Sequence, residues 1–179
     1  MRTLFTIHEF LGQDECESLI AAAEQGGFSA APITTSRGFV MAPDIRNNTR
    51  FMVDDLPLAT RLWARLESAI ADAAPLGATG LNERFRYYKY DPGQAFHWHR
   101  DGRFVRNERE ASRLTFMVYL NEGFTGGETE FDFPEQSVTP RTGMALLFEH
   151  GLYHQGAPVT HGTKYVLRSD VMYPRAHLD

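Results

Sequence analysis

Apolar positions follow a helical period in two stretches of the first half of the chain and a strand period through most of the second half. In 14–25, Cys16, Leu19, Ile20 and Ala23 fall on one helical face, and Gly26 and Gly27 supply a stop. In 57–73, Leu58, Leu62, Trp63, Leu66, Ala69 and Ile70 form a second stripe, with Pro57 in the first turn and Asp54 or Asp55 as cap. Both stretches predict amphipathic helices, with Trp63 in the core. Beyond Arg86 the pattern changes to short aromatic and β-branched runs broken by Gly, Pro and Asn. These predict strands over 85–90, 95–99, 114–120, 128–133, 144–148 and 164–173.

The simplest assembly of these elements is mainly β with flanking helices. It is a double-stranded β-helix, or jelly roll, with the N-terminal helices packed on one sheet. One domain is expected over residues 1–179, helical to about residue 80 and jelly-roll from about 85 to 175, since no repeat, low-complexity tract or linker divides the chain. Its 42% hydrophobic content is enough for one sizeable core.

Composition narrows the function classes. No apolar run approaches the ~20 residues needed to span a bilayer, so no membrane association is expected. Residues 1–8 lack the apolar stretch and cleavage site of a signal peptide, which makes the cytoplasm the expected compartment. Cys16 is the single cysteine, so neither an intrachain disulfide nor a Cys-based metal site is available. A formal charge of −5 argues against a broad phosphate-binding surface and hence against a nucleic-acid partner.

The chemistry gathers in 90–101, which contains His97, His99 and Asp101. Residues two apart in a strand point to the same face, so His99 and Asp101 can set an imidazole nitrogen and a carboxylate oxygen against one ion. A distant histidine must close the third vertex. Two imidazoles and a carboxylate leave half the coordination sphere open, which suits ferrous iron that holds a cosubstrate and dioxygen together. His-x-Asp alone is a weak signal. Tyr90, Gly93 and Phe96 precede the pair, and Tyr119, Asn121, Gly126, Gly127, Thr129, Phe131, Gly143, Phe148, His154 and Lys164 follow it. In this order and spacing, the series from about Arg86 to Tyr173 resembles the catalytic domain of the prolyl 4-hydroxylase-like iron(II)- and 2-oxoglutarate-dependent oxygenases. Before Arg86, only the Cys16 helix and the Arg-Asn-Asn-Thr-Arg segment 46–50 resemble that family.

The resemblance implies iron ligation by His99, Asp101 and His154. It also implies that Lys164, ten residues after His154, neutralises the 5-carboxylate of 2-oxoglutarate. Arg168 is the second candidate for that anchor, because a guanidinium binds a carboxylate through two parallel hydrogen bonds. Tyr90 and Tyr119 are expected either to hydrogen-bond the cosubstrate or to pack as ordinary strand residues. His97 shares the face of His99 and is the rival ligand in a shifted register, with a place in the pocket wall or a role supporting a metal ligand as the expectation. His150 is the rival to His154, which is preferred by the spacing to Lys164. His8, His161 and His177 read as surface residues. Arg46, Asn47, Asn48, Arg50 and Arg103 are expected either to hold substrate at a pocket mouth or simply to be solvated.

By resemblance the cofactor set is Fe(II), 2-oxoglutarate and dioxygen, with ascorbate as reductant, and the products include succinate and carbon dioxide. The substrate is then a C–H bond in a prolyl or other side chain of a peptide, or in a free amino acid or small molecule. Two other readings stand beside this one. One is a jelly-roll metalloenzyme that does not use 2-oxoglutarate, for which Lys164 and Arg168 would be structural. The other is a non-catalytic binding module on the same fold. Oligomeric state carries no sequence signal.

Overall fold

Two helices cover one side of a large antiparallel sheet in the computed structural model, which describes residues 3–35, 38–71 and 77–177. Helix α1, Gln13–Gly26, ends where Gly27 turns to φ +83, a conformation glycine adopts without strain. Helix α2, Leu56–Ile70, starts at Asp55, whose carboxylate accepts the Leu58 N–H at 2.8 Å. Its buried stripe is Leu58, Ala59, Leu62, Leu66 and Ile70, with Trp63 partly buried beside it. The end expected near Ala73 lies outside the described residues. Neither described helix is long and apolar enough to cross a membrane.

The larger sheet has eight strands. Seven run in the order Leu4–Ile7, Ala145–Glu149, Glu110–Tyr119, Lys164–Pro174, Arg84–Tyr90, Thr49–Asp54 and Ser29–Ala30, and Gly80–Leu81 pairs to Lys164–Pro174 off that path. A smaller sheet runs Gln136–Val138, Thr129–Phe131, His154–Gly156, Phe96–His99. Both are antiparallel, as a jelly roll requires.

Alternation along the strands divides the core in two. Phe85 and Tyr87, with Leu114, Phe116 and Val118, face the helices and join Leu62 and Leu66 in one apolar cluster. Tyr88 and Tyr90, with Tyr119 and Val166, face the opposite way and join Phe131 and Phe148 between the sheets. The period of two therefore sends one set of side chains to the helices and the other to an inter-sheet cavity.

The N-terminal part is less helical than its sequence suggests. Leu4–Ile7, Ser29–Ala30 and Thr49–Asp54 all add strands to the larger sheet. Ser29–Ala30 is exposed and the last three residues of Thr49–Asp54 are exposed, so these outer strands lack the clean in-out alternation that marks a half-buried strand. The strand expected at 128–133 is only Thr129–Phe131, while that expected at 114–120 begins earlier, at Glu110.

Candidate active site

His99 and His154 are direct antiparallel partners in the smaller sheet, with ring centroids 4.3 Å apart. Asp101 lies just past the end of the His99 strand, where its N–H donates to the carbonyl of His150 at 3.1 Å. One ligand atom from each of His99, Asp101 and His154 lies within 4.8 Å of the others. His99 Nε2 is 3.7 Å from Asp101 Oδ1, and His154 Nε2 is 3.8 Å from Asp101 Oδ2.

Backbone carbonyls set which ring nitrogen is free. His99 Nδ1 is 2.7 Å from the His97 carbonyl and His154 Nδ1 is 2.9 Å from that of Leu152, so in each ring Nδ1 carries the proton and Nε2 keeps its lone pair toward Asp101. Burial lowers the His154 pKa to about 4 despite the pull of Asp101, which leaves the ring neutral at pH 7. Burial pushes the Asp101 carboxyl up, but the Arg168 guanidinium and the two histidines outweigh it and hold that pKa well below the usual carboxylate range. Two imidazoles that turn Nε2 inward and one carboxylate fit a divalent iron ion by donor type and by orientation.

One oxygen of Asp101 is already engaged. Thr115 donates its hydroxyl to Oδ2 at 2.5 Å, and Arg168 Nη2 lies 3.1 Å from the same atom. Oδ1 is left facing His99. His150, the sequence rival to His154, is buried behind this arrangement. Its Nδ1 meets Thr115 Oγ1 at 3.0 Å and its Nε2 meets Ser112 Oγ at 2.8 Å. Both ring nitrogens are therefore occupied, and the ring stands outside the ligand cluster.

The His97 side chain is exposed and absent from the cavity wall, and the residue supports His99 only through its backbone carbonyl. His154 opposes His99 while Gly156 opposes Phe96, so three steps on one strand match two on the other. This bulge breaks the period of two. Phe96 takes the inward position, stacked on His99 at 3.4 Å with planes 10° apart. His8 and His161 are exposed, and the side chain of His177 lies outside the described residues.

A cavity opens between the sheets, with about 430 Å³ of empty space when its open mouth is counted. At one pole lies Lys164, only 2% exposed, with Nζ donating to the Gly127 carbonyl at 2.6 Å. It makes no ion pair among the described residues. Burial lowers its pKa to about 7. Its ammonium lies 5.0 Å from the Tyr90 ring centroid and 5.5 Å from that of Tyr119. Tyr90 lines the cavity, but Tyr119 does not, and its hydroxyl bonds Thr129 Oγ1 at 2.6 Å. Arg168 also lines the cavity, but it is paired with Asp101 and with Asp170, which lies 3.3 Å away.

The residues expected at a pocket mouth are distributed differently. Arg103 is exposed and does not line the cavity. Arg46 and Asn48 are buried and Arg50 is half-buried. The Arg46 guanidinium lies 4.4 Å from the ring centroids of both Tyr88 and Phe96, two of the lining residues. Asn47 is exposed and uses its side chain to accept the Ala95 N–H. Sequence reasoning missed Tyr88, Thr115 and Asp170. Tyr88 was within reach, since it stands two residues before Tyr90 on the same strand face.

Comparison with known proteins agrees with this geometry. Residues 85–169 match the sequence model of the 2OG-Fe(II) oxygenase superfamily. Prolyl 4-hydroxylase 1 of Arabidopsis thaliana is 25% identical over 185 residues, covering 93% of this chain, which spans 65% of that protein's length. A viral collagen prolyl hydroxylase of Paramecium Bursaria Chlorella virus-1, solved as a 2OG complex, superposes with a TM-score of 0.69 at 23% identity over 96% of each chain. A Trichoplax adhaerens prolyl hydroxylase, solved with a hypoxia inducible factor peptide fragment, gives 0.70 at 19% identity over 98% of this chain and 85% of that one.

Proposed function

We propose, from the premise that this chain belongs to the 2OG-Fe(II) oxygenase superfamily, that it hydroxylates a C–H bond in a peptide side chain or an amino-acid-like small molecule. His99, Asp101 and His154 hold iron(II), and Lys164 takes the distal carboxylate of 2-oxoglutarate. The observation that carries the reading is the trio of ligand atoms within 4.8 Å, with both Nδ1 atoms tied to carbonyls and both Nε2 atoms free.

Bound iron, 2-oxoglutarate and dioxygen together supply the oxidation that replaces C–H by C–OH, with succinate and carbon dioxide released. The protein's part is to place and to shield. Thr115 and Arg168 hold Asp101 Oδ2 and so direct Oδ1 at the metal position. Phe96 fixes the plane of His99 by stacking. Lys164 is buried and pairs with no carboxylate among the described residues, so its charge suits a dicarboxylate, whereas Arg168 is already paired with Asp101 and Asp170. Tyr90 and Thr129 wall the cavity that Lys164 also lines.

A peptide target is supported by the likeness to prolyl hydroxylases, one of them solved with a bound peptide fragment. The test supplies iron(II), 2-oxoglutarate and ascorbate in air and screens proline-containing peptides and free amino acids for stimulated succinate release, with mass spectrometry for an added oxygen. Stimulation by peptides supports that target. Stimulation by free amino acids alone removes it while leaving the oxygenase chemistry in place.

A further inference from the structure

Arg46 is a buried cation whose hydrogen bonds are incomplete. It is 4% exposed, and its Nε donates to Asn48 Oδ1 at 2.7 Å, while its Nη2 is buried without any hydrogen-bond partner. The side chain is not loosely placed. Its backbone bridges to Phe96, the flanking Ile45 carbonyl accepts the His97 N–H at 2.8 Å, and Asn48 is fixed by donating to the Thr49 carbonyl at 2.9 Å. A buried polar group left unpaired is rare enough in folded proteins to call for an explanation, and an absent ligand is one.

Charge on this wall points the same way. Arg50 opposes Tyr88 in the sheet register, and directly opposed residues share a face, so Arg50 stands on the cavity side of the larger sheet. Arg86 and Arg168 are neutralised there by Asp170 and Asp101. Arg46 and Arg50 make no ion pair among the described residues. Burial and then the neighbouring guanidiniums lower the pKa of Arg50, and burial of Tyr88 is outweighed by Arg168, Arg46 and Arg86, which draw its phenol down to about 8. This side of the larger sheet therefore carries more cationic than anionic groups, quite apart from Lys164, with Arg46 packed behind the lining rings of Tyr88 and Phe96 and neither Arg46 nor Arg50 among the lining residues themselves.

We infer that Arg46 and Arg50 form a receptor for a carboxylate of the primary substrate, which is separate from the Lys164 pole that takes 2-oxoglutarate. The inference rests on the oxygenase reading and narrows its substrate to carboxylic acids. Phe96 lies between this receptor and the metal position, with the guanidinium 4.4 Å from its ring and His99 stacked on it at 3.4 Å. An acid anchored there presents carbons only a few bonds from its carboxylate. The substrate is accordingly a free amino acid or a C-terminal residue, and the carboxylate is the chemistry common to both.

The test compares acids with their amides on the protein loaded anaerobically with iron(II) and 2-oxoglutarate. L-Proline and L-prolinamide, L-leucine and L-leucinamide, and a short peptide ending in proline with its C-terminal amide are each titrated. Perturbation of the visible band of the iron–2-oxoglutarate chelate reads binding. At least one acid is expected to bind tenfold or more tightly than its amide, and the amino-acid and peptide arms tell the two sources apart. Arg46→Lys and Arg46→Met should each weaken that acid about tenfold or more and bring it close to its amide. The acid–amide comparison on the unmodified protein stands even if a variant fails to fold. Amides that bind as well as acids, a variant that keeps the preference, or an acid panel that is silent while the chelate band forms would each overturn the inference. Absence of the chelate band itself would instead count against the oxygenase reading.

Discussion

Thr115 donates a hydrogen bond from its hydroxyl to Asp101 Oδ2 at 2.5 Å while its oxygen lies 3.0 Å from His150 Nδ1. A consistent direction runs through the set. Ser112 donates to His150 Nε2, His150 Nδ1–H donates to Thr115, and Thr115 donates to Asp101, with Ser112 Oγ accepting the Phe104 N–H at 2.8 Å. This buried chain fixes the carboxylate from behind, and partners of that kind are worth about 10–100-fold in metal affinity at other sites. Thr115→Val should weaken iron(II) binding by about that factor, and Thr115→Ser should restore most of it. Anaerobic iron(II) titration checks both.

His97→Ala should leave iron affinity nearly unchanged, because His99 is held by the backbone carbonyl of His97 and the side chain is exposed. Its effect on stability should stay within about 0.5 kcal/mol. A large loss of iron in the same titration would return His97 to the ligand set.

Lys164→Met should raise the apparent Kd for 2-oxoglutarate by about a hundredfold, since an unpaired buried carboxylate costs roughly 3 kcal/mol. Arg168→Met should instead weaken iron binding, because its partner is Asp101. Calorimetric titration of each ligand separates the two effects, and the reverse ranking would move the anchor to Arg168.

The depressed Lys164 pKa of about 7 gives a pH dependence with a definite sign. Below about pH 7 the amine is already charged and 2-oxoglutarate binds without proton uptake. Above it the amine must gain a proton to meet the carboxylate, so apparent affinity falls up to ~tenfold per pH unit. Measuring Kd from pH 6 to 9 with the metal saturated should show a plateau and then this fall. Lys164→Arg, which keeps its charge throughout, should flatten the curve.

Much of this arrangement was legible in the sequence. The inward set Lys164, Val166 and Arg168 follows from alternation along one strand, and His99 with Asp101 follows from spacing. His97 was misplaced because a bulge shifts the inward position to Phe96, and a bulge here leaves no mark in the residue pattern. Arg46 read as a polar loop residue since the rings that bury it, Tyr88 and Phe96, come from strands distant in the chain. Thr115 is indistinguishable in sequence from any other strand threonine. The outer strands of the N-terminal part are half exposed, so only their pairing reveals them.

Gly126 shows how tightly one turn of the barrel is specified. Its φ is +73, and a Cβ there would lie 2.2 Å from the Pro158 carbonyl oxygen. Gly126→Ala should therefore destabilise the fold by about 2 kcal/mol or more. Chemical denaturation of the variant against the parent measures it, and an unchanged midpoint would mean that the turn relaxes freely.

The iron and cosubstrate site is tested most directly by anaerobic addition of iron(II) and 2-oxoglutarate, followed in the visible spectrum. A charge-transfer band should form with one iron per chain, and should be absent from His99→Ala, Asp101→Ala and His154→Ala although each remains folded. No band in the parent protein, or an undiminished band in any of the three variants, would contradict that assignment.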